Sequence, residues 1–279
     1  MVFANAGQMR NYGVELLLDA RIVQGNRFRW NATFVGAHNV NDIVSVSSDQ
    51  FFGSSQPITN IGLGWGQETQ ILAAGQPVGA FCGKAFAGLT EEGKWLFYNN
   101  EGDVVTSDQV GDEDFRHLGN SIPLYNVGLT NTFAFGRFDA SILIRGAFGF
   151  KVLNSKNIFH DNINNFGATN MLVSAFNWAP DPDYPTTGRP VPLHTGEPTF
   201  SDYYLERGDY LKLDNVTIGY TFPFHNLRLY VSTLNLAILT NYSGMDPELG
   251  INPFPGAGVE FRNYFPRTRT FTFGLSATF

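Results

Sequence analysis

The sequence predicts an all-β fold: a transmembrane antiparallel β-barrel, of which this chain supplies about nine strands. Three observations predict it. Long runs alternate polar and apolar residues, the connections between them alternate short and long, and the composition is rich in phenylalanine and poor in charge.

The runs follow in chain order. In Val14–Ile22, Val14, Leu16, Leu18, Ala20 and Ile22 oppose Glu15, Asp19 and Arg21. In Phe28–Phe34, Phe28, Trp30, Ala32 and Phe34 oppose Arg29, Asn31 and Thr33. Gln67–Ala74 and Gly79–Leu89 are weaker candidates. In Tyr125–Phe135, Tyr125, Val127, Leu129, Phe133 and Phe135 oppose Asn126, Gly128, Thr130 and Thr132. In Phe138–Phe150, Phe138, Ala140, Ile142, Ile144 and Phe148 oppose Asp139, Ser141 and Arg145. In Leu213–Phe222, Val216, Ile218, Tyr220 and Phe222 oppose Asn215, Thr217, Gly219 and Thr221; Leu227–Leu239 is strand-like but less regular. The last run, Arg267–Phe279, sets Phe271, Phe273, Leu275, Ala277 and Phe279 against Thr270, Thr272, Gly274, Ser276 and Thr278. Period two places one face against an apolar medium and the other against water. Most of the runs are about nine residues or longer, where ordinary strands average five or six and a tilted membrane strand needs about nine to eleven.

Short connections fall near Val23–Asn26, Gly75–Val78, Gly136 and Pro223–Asn226. Long ones fall near Asn41–Gly66, Thr90–Asn120, Val152–Arg207 and Asn241–Pro266. Outer-membrane barrels have short periplasmic turns and long extracellular loops, and a soluble β-sandwich has no reason to sort its loops by end. A short helix is expected within Asn154–Asn165.

Composition agrees. Charged residues are 15% of the chain, aromatics 15%, and 26 residues are Phe; a water-soluble surface needs about a quarter charged residues. The net charge of −7 and the lack of a Lys/Arg cluster exclude a nucleic-acid partner. The single cysteine, Cys82, permits no internal disulfide and reads as a small apolar filler. No apolar run of about twenty residues marks a membrane helix. Met1–Arg10 lacks the basic start and apolar core of a signal peptide, so the expectation is that the sequence lacks its true N-terminus.

Catalytic and metal patterns are not found. The histidines 38, 117, 160, 194 and 225 have no metal-ligand spacing. Asn99–Asp108 resembles a degenerate calcium loop, but Val104 takes the position of the required Gly and Val110 that of the required Glu, so it reads as an acidic turn. Carboxylates show no pairing for glycoside hydrolysis, no Gly-x-Ser-x-Gly elbow exists, and Gly62–Gly66 lacks the Lys of a phosphate loop. The chain is therefore not expected to be an enzyme or to hold a cofactor. Aromatics in the long connections are the candidate substrate contacts: Trp65, Trp95, Trp178, Tyr184, Tyr203 and Tyr204. Flat rings in a wet cleft can stack on sugars or pack on peptide side chains, although barrels also use such rings for interfacial girdles and loop packing. Asp181–Pro185, with Pro190 and Pro192, reads as a stiff loop that could meet a partner.

A string of motifs carries a family resemblance over essentially the whole chain. Asn11-Tyr-Gly-Val-Glu-Leu, Phe28-Arg-Trp30, Gly75-Gln-Pro-Val-Gly-Ala-Phe81, Gly119–Tyr125, Tyr210–Pro223, Tyr242-Ser-Gly-Met-Asp-Pro-Glu248 and Pro266–Gly274 resemble the end of the barrel in SusC/RagA-family TonB-dependent outer-membrane transporters of Bacteroidetes. The resemblance implies that residues 1–279 are the C-terminal part of a barrel of twenty-two strands, incomplete on its own, with the remaining strands and the plug elsewhere in the same or a separate chain. It implies a place in the outer membrane of a Gram-negative bacterium, amid lipid and lipopolysaccharide. It implies import of glycan or peptide fragments, energised by TonB through the plug and assisted by a SusD-like surface lipoprotein. The alternative is a barrel anchor with an adhesive or structural role.

Overall fold

The computed structural model describes residues 7–46, 55–57, 69–90, 94–160, 170, 172, 200–224, 227–249, 257–261 and 264–277. Seven long strands lie side by side in chain order as one antiparallel sheet: β1 (Gln8–Gln24), β2 (Phe28–Ser45), β3 (Tyr125–Phe135), β4 (Phe138–Phe148), β5 (Tyr210–Thr221), β6 (Arg228–Thr240) and β7 (Thr270–Ser276). The sheet does not close. β1 and β7 are its edges, and β1 is exposed along all 17 residues.

Registry turns the alternation into two continuous faces. On one face Phe28, Phe135, Phe138, Tyr220, Leu229 and Leu275 form a single row across six strands. Higher up, Leu18, Phe34, Leu129 and Ile144 form another, and His38 stacks on Tyr125 at 4.5 Å near the far end. From the Phe135 row to the Tyr125 row a strand covers about 34 Å at about 3.4 Å per residue, which a tilt of about 40° reduces to roughly 26 Å, the height of the apolar band in outer-membrane barrels. Asn131 lies on this face, and its Oδ1 accepts a bond from Trp30 Nε1 at 3.0 Å, which satisfies an amide that lipid cannot.

Short turns join the strands at one end. β3 and β4 are linked by Gly136 and Arg137 alone, with Phe135 paired to Phe138. Gly136 has φ +59°, the left-handed region that a type II′ hairpin requires at its first central position. The long connections, residues 46–124, 149–209 and 241–269, all leave from the other end.

Seven strands, rather than the expected nine, form the wall among the described residues. Gln67–Ala74 and Gly79–Leu89 instead supply Gln70–Ala73, Ala80–Gly83 and Ala85–Leu89, strands of four or five residues in small sheets. These are too short to cross a bilayer, and Phe81 and Ala85 bury their side chains in a core of the connections. The Gly75–Val78 turn sits beside the loop end of β2, not at the short-turn end: Gly75 N–H donates to Ile43 O at 2.8 Å and Ile43 N–H to Gln76 O at 3.0 Å.

Among the described residues the connections fold into a cap with three small sheets and one α-helix, α1 (Ser155–His160), inside the stretch where a helix is expected. Phe81, Phe97, Leu153, Ile158, Tyr204 and Val259 are buried in its core. Each such side chain removed from water stabilises by about 1.5–3 kcal/mol. A second cluster, Ala147, Phe150, Val152, Tyr210 and Tyr242, packs where the cap meets β4 and β5.

Candidate functional site

The polar face of the wall is the first part of the site. Asn31, Thr132, Ser141, Thr217, Ser232 and Thr272 lie in one row across β2 to β7. Some of them bond to one another: Thr217 and Ser232 hydroxyls are 2.7 Å apart, and one row higher Asp19 Oδ1 accepts from Thr33 at 2.6 Å. Toward the short turns, Arg228 donates to both oxygens of Asp139 at 3.0 and 2.6 Å and lies over the Tyr230 ring. In a closed barrel this face lines the lumen.

The second part is a strap, residues 242–248, that ties the cap to this face. At its cap end Tyr242 donates to Glu260 Oε2 at 2.5 Å, and Met245 N–H donates to the same oxygen at 3.1 Å. Lys156 bonds the other oxygen of this fully buried carboxylate. Ser243 donates its N–H and hydroxyl to Glu206 at 2.7 and 2.6 Å. A Cβ at position 244 would collide with the Glu260 carboxylate and the Tyr242 ring, so the approach requires Gly244. Burial, reinforced by the neighbouring Glu260 carboxylate, pushes the Tyr242 phenol well above its ordinary range.

At its wall end the strap places Glu248 between three cations. Arg145 donates to both Glu248 oxygens at 2.7 and 2.8 Å, Lys212 donates at 2.7 Å, and Arg267 is 3.2 Å away. Arg145 also pairs with Asp214 at 2.9 Å, and Lys212, fully buried, with Asp246 at 3.4 Å. Asp214 falls where the β5 register shifts, a bulge that re-aims a side chain. Three cations face three carboxylates, so the buried charge is balanced and each partner is held by the others. Burial alone would raise the Glu248 carboxyl, but the Arg145 and Lys212 bonds prevail and hold it below the ordinary carboxylate range.

The strap explains three of the motifs. Tyr210–Pro223 contributes Lys212 and Asp214, Tyr242–Glu248 the strap, and Pro266–Gly274 Arg267. Nothing in the spacing of these segments shows that they meet; the one signal in the sequence is that charges on otherwise alternating strands must find partners.

The candidate aromatics divide. Trp95 and Tyr204 are buried in the cap core; Trp95 stacks 5.9 Å from Phe97 and meets Tyr203 edge-on at 5.3 Å. For these two rings the geometry is that of loop packing, because the cap has a dry interior of its own. Tyr203 is half-buried at the margin of that core. Trp65, Trp178 and Tyr184 lie outside the described residues, as do Asp181–Pro185, Pro190 and Pro192. In the acidic turn, Asn99 Oδ1 accepts from Asp103 N–H at 2.8 Å and the Asp114 carboxylate from the N–H groups of Asn100 and Gly111 at 2.8 and 3.0 Å, so side-chain oxygens close the turn. Burial pushes the Cys82 thiol up, in keeping with a packing role.

One apolar face, one polar face and all long connections at one end define a segment of a transmembrane β-barrel wall. No protein-family model matches the chain. It is 26% identical over 307 aligned residues to the TonB-dependent receptor P3 of Formosa agariphila, covering 99% of this chain and 29% of that protein. It is 24% identical to the TonB-dependent receptor SusC of Bacteroides thetaiotaomicron, covering 99% of this chain and 27% of SusC. Among solved structures, the RagAB peptide transporter superimposes with a TM-score of 0.79 at 23% identity over 97% of this chain and 29% of that one, a likeness of fold. The chain thus resembles the C-terminal part of SusC/RagA-type TonB-dependent receptors along its whole length and spans less than a third of theirs. These relatives are named as receptors and transporters, not as enzymes.

Proposed function

We propose that residues 1–279 form the C-terminal part of the wall and surface cap of a TonB-dependent nutrient importer in the outer membrane. The observation that carries this reading is the pair of continuous faces, apolar and polar, across seven strands with the connections sorted by end. The two open edges then pair with further strands, since unpaired backbone is not tolerated in lipid. The polar face bounds the lumen, with a plug inside that takes energy from TonB, and the cap meets a SusD-like lipoprotein. The cargo is a glycan or peptide fragment, and Tyr203 is the candidate contact in the cap, with Trp65, Trp178 and Tyr184 as further candidates from the sequence. Nothing in this reading requires the chain to break a bond.

Cysteine accessibility tests the faces. In a Cys82→Ser background, cysteine at Ser141 should react with a membrane-impermeant maleimide in outer-membrane vesicles from which the plug has been displaced by urea, and cysteine at Ala140 should not. Equal labelling of both would sink the barrel assignment. Removal of the gene should abolish growth on one class of oligomer, glycan or peptide, while growth on its monomers persists; unimpaired growth with loss of surface attachment would favour an adhesive anchor.

A further inference from the structure

On the apolar face of the wall, near the short turns, a groove of about 300 Å³ opens between two rows of side chains. Phe138, Tyr220 and Leu229, from the row nearest the turns, bound it on one side. Ile218, Val231 and Phe273, from the next row, bound it on the other. Its floor is the backbone of Gly219, Tyr230 and Gly274, positions that belong to the polar face. The bounding side chains are apolar apart from the Tyr220 hydroxyl, which makes no hydrogen bond among the described residues.

Two arginines stand at the turn end of this groove. Arg137 immediately precedes Phe138, and its carbonyl accepts from Thr221 N–H at 2.9 Å, next to Tyr220. Arg27 lies in the neighbouring β1–β2 turn and is drawn alongside, because Gly136 N–H donates to Arg27 O at 3.0 Å. Both side chains are exposed, and neither has an ion-pair partner among the described residues. The carboxylates nearest to them in sequence, Asp19 and Asp139, lie on the polar face, where Thr33 and Arg228 hold them. The rim below the groove is therefore cationic, in a chain whose net charge is −7.

We infer that the groove and these arginines form a site for an anionic phospholipid of the periplasmic leaflet, with an acyl chain in the groove and the phosphate at Arg137 and Arg27. Short turns face the periplasm in outer-membrane barrels, so the arginines stand at the depth of that leaflet's headgroups. A guanidinium fork matches phosphate oxygens in pairs, and the Tyr220 hydroxyl supplies a donor at the border between chain and headgroup. A zwitterionic headgroup brings its own ammonium to a rim that is already cationic, whereas a headgroup of net negative charge meets two cations without one. The inference rests on the outer-membrane placement proposed above, and not on what the receptor imports.

The test is native mass spectrometry of the full-length receptor, purified in detergent from outer membranes, with dioleoyl phosphatidylglycerol and dioleoyl phosphatidylethanolamine. The two lipids share their acyl chains and differ in headgroup charge. The variants are Arg27→Gln, Arg137→Gln, the two combined, and Ile218→Trp, which fills the groove. The arginine side chains bond to nothing among the described residues and Ile218 faces lipid, so all should reach the outer membrane in wild-type amount. The wild type should bind phosphatidylglycerol about twentyfold more tightly than phosphatidylethanolamine, about fivefold for each arginine. Each single glutamine variant should lose about fivefold toward phosphatidylglycerol and nothing toward phosphatidylethanolamine, while Ile218→Trp should weaken both lipids. Equal binding of the two lipids by the wild type, a preference that survives in the double variant, or binding unchanged in Ile218→Trp would overturn the site. A receptor missing from the outer-membrane fraction would overturn the membrane placement and the site with it. A receptor that selects phosphatidylglycerol as expected, but whose loss impairs uptake of no oligomer, would overturn the importer reading and support the site.

Discussion

The wall and the cap are built from one chain by opposite rules. In the wall, large apolar side chains such as Val14 at 71%, Phe135 at 60% and Phe273 at 78% remain exposed. In the cap, Phe81, Phe97, Leu153 and Tyr204 are at 1% or less. The cap follows the water-soluble pattern, with a core made by removing rings from water. The wall has no such core, because its apolar face meets lipid and its backbone is satisfied only by neighbouring strands. The strap is the joint between the two: Tyr242 joins the apolar cluster at one end, and Glu248 is held by charge at the other.

The largest expected effect breaks that joint. Glu248→Ala leaves buried Lys212 and half-buried Arg145 without their shared partner, and losing one member of a buried ion network costs about 3–5 kcal/mol. Limited proteolysis of outer-membrane vesicles should then cut within residues 242–249 while the strands stay protected. Protection equal to wild type would show that the cap holds without the strap. Phe97→Ala should be comparably damaging, about 3–5 kcal/mol by the cavity it opens, whereas Phe273→Ala, facing lipid, should cost well under half as much. Urea unfolding in vesicles separates the two; equal costs would erase the distinction between wall and cap.

A smaller effect tests the faces within the wall. Ile142 and Ser141 are neighbours in β4 on opposite sides. Ile142→Lys places a charge near the middle of the lipid face and should cost about 2–4 kcal/mol, but Ser141→Lys on the wet face should cost little. The readout is the folded fraction in the outer membrane, measured by heat-modifiable migration on gels. If the two lysines are tolerated alike, neither face meets lipid.

What was legible in the sequence follows the same division. The wall strands could be read because a membrane strand is long and each of its residues has only two environments. Gln67–Ala74 and Gly79–Leu89 misled because a glycine turn between short apolar runs has the form of a wall hairpin, and only packing against Phe97 and Leu118 makes it cap. Trp95 and Tyr204 looked like ligand contacts because the long connections read as wet loops rather than as a body with an interior. The strap was invisible for a different reason. Glu248 meets Arg145 across 103 positions and Lys212 across 36, and no periodicity links charges so far apart. The motifs that contain them gave the family without giving the joint.

The smallest change, a fall in pH, acts on the joint through Glu248. Glu248 titrates below the ordinary carboxylate range in the folded protein, because the Arg145 and Lys212 hydrogen bonds outweigh the burial that would raise it. A depressed folded value means that the unfolded chain binds the proton first, so stability falls as pH falls. The contribution of the strap is complete above the unfolded value of about 4.3 and declines as pH drops through the folded one. Between pH 8 and pH 5 proteolysis of residues 242–249 should therefore not change. Below pH 4 the strap should become cleavable while the lipid-protected strands remain intact. Glu248→Gln cannot ionise, so it should be cleaved at neutral pH and show no further acid step at this segment. An acid step of wild-type size in Glu248→Gln would show that the release does not depend on Glu248.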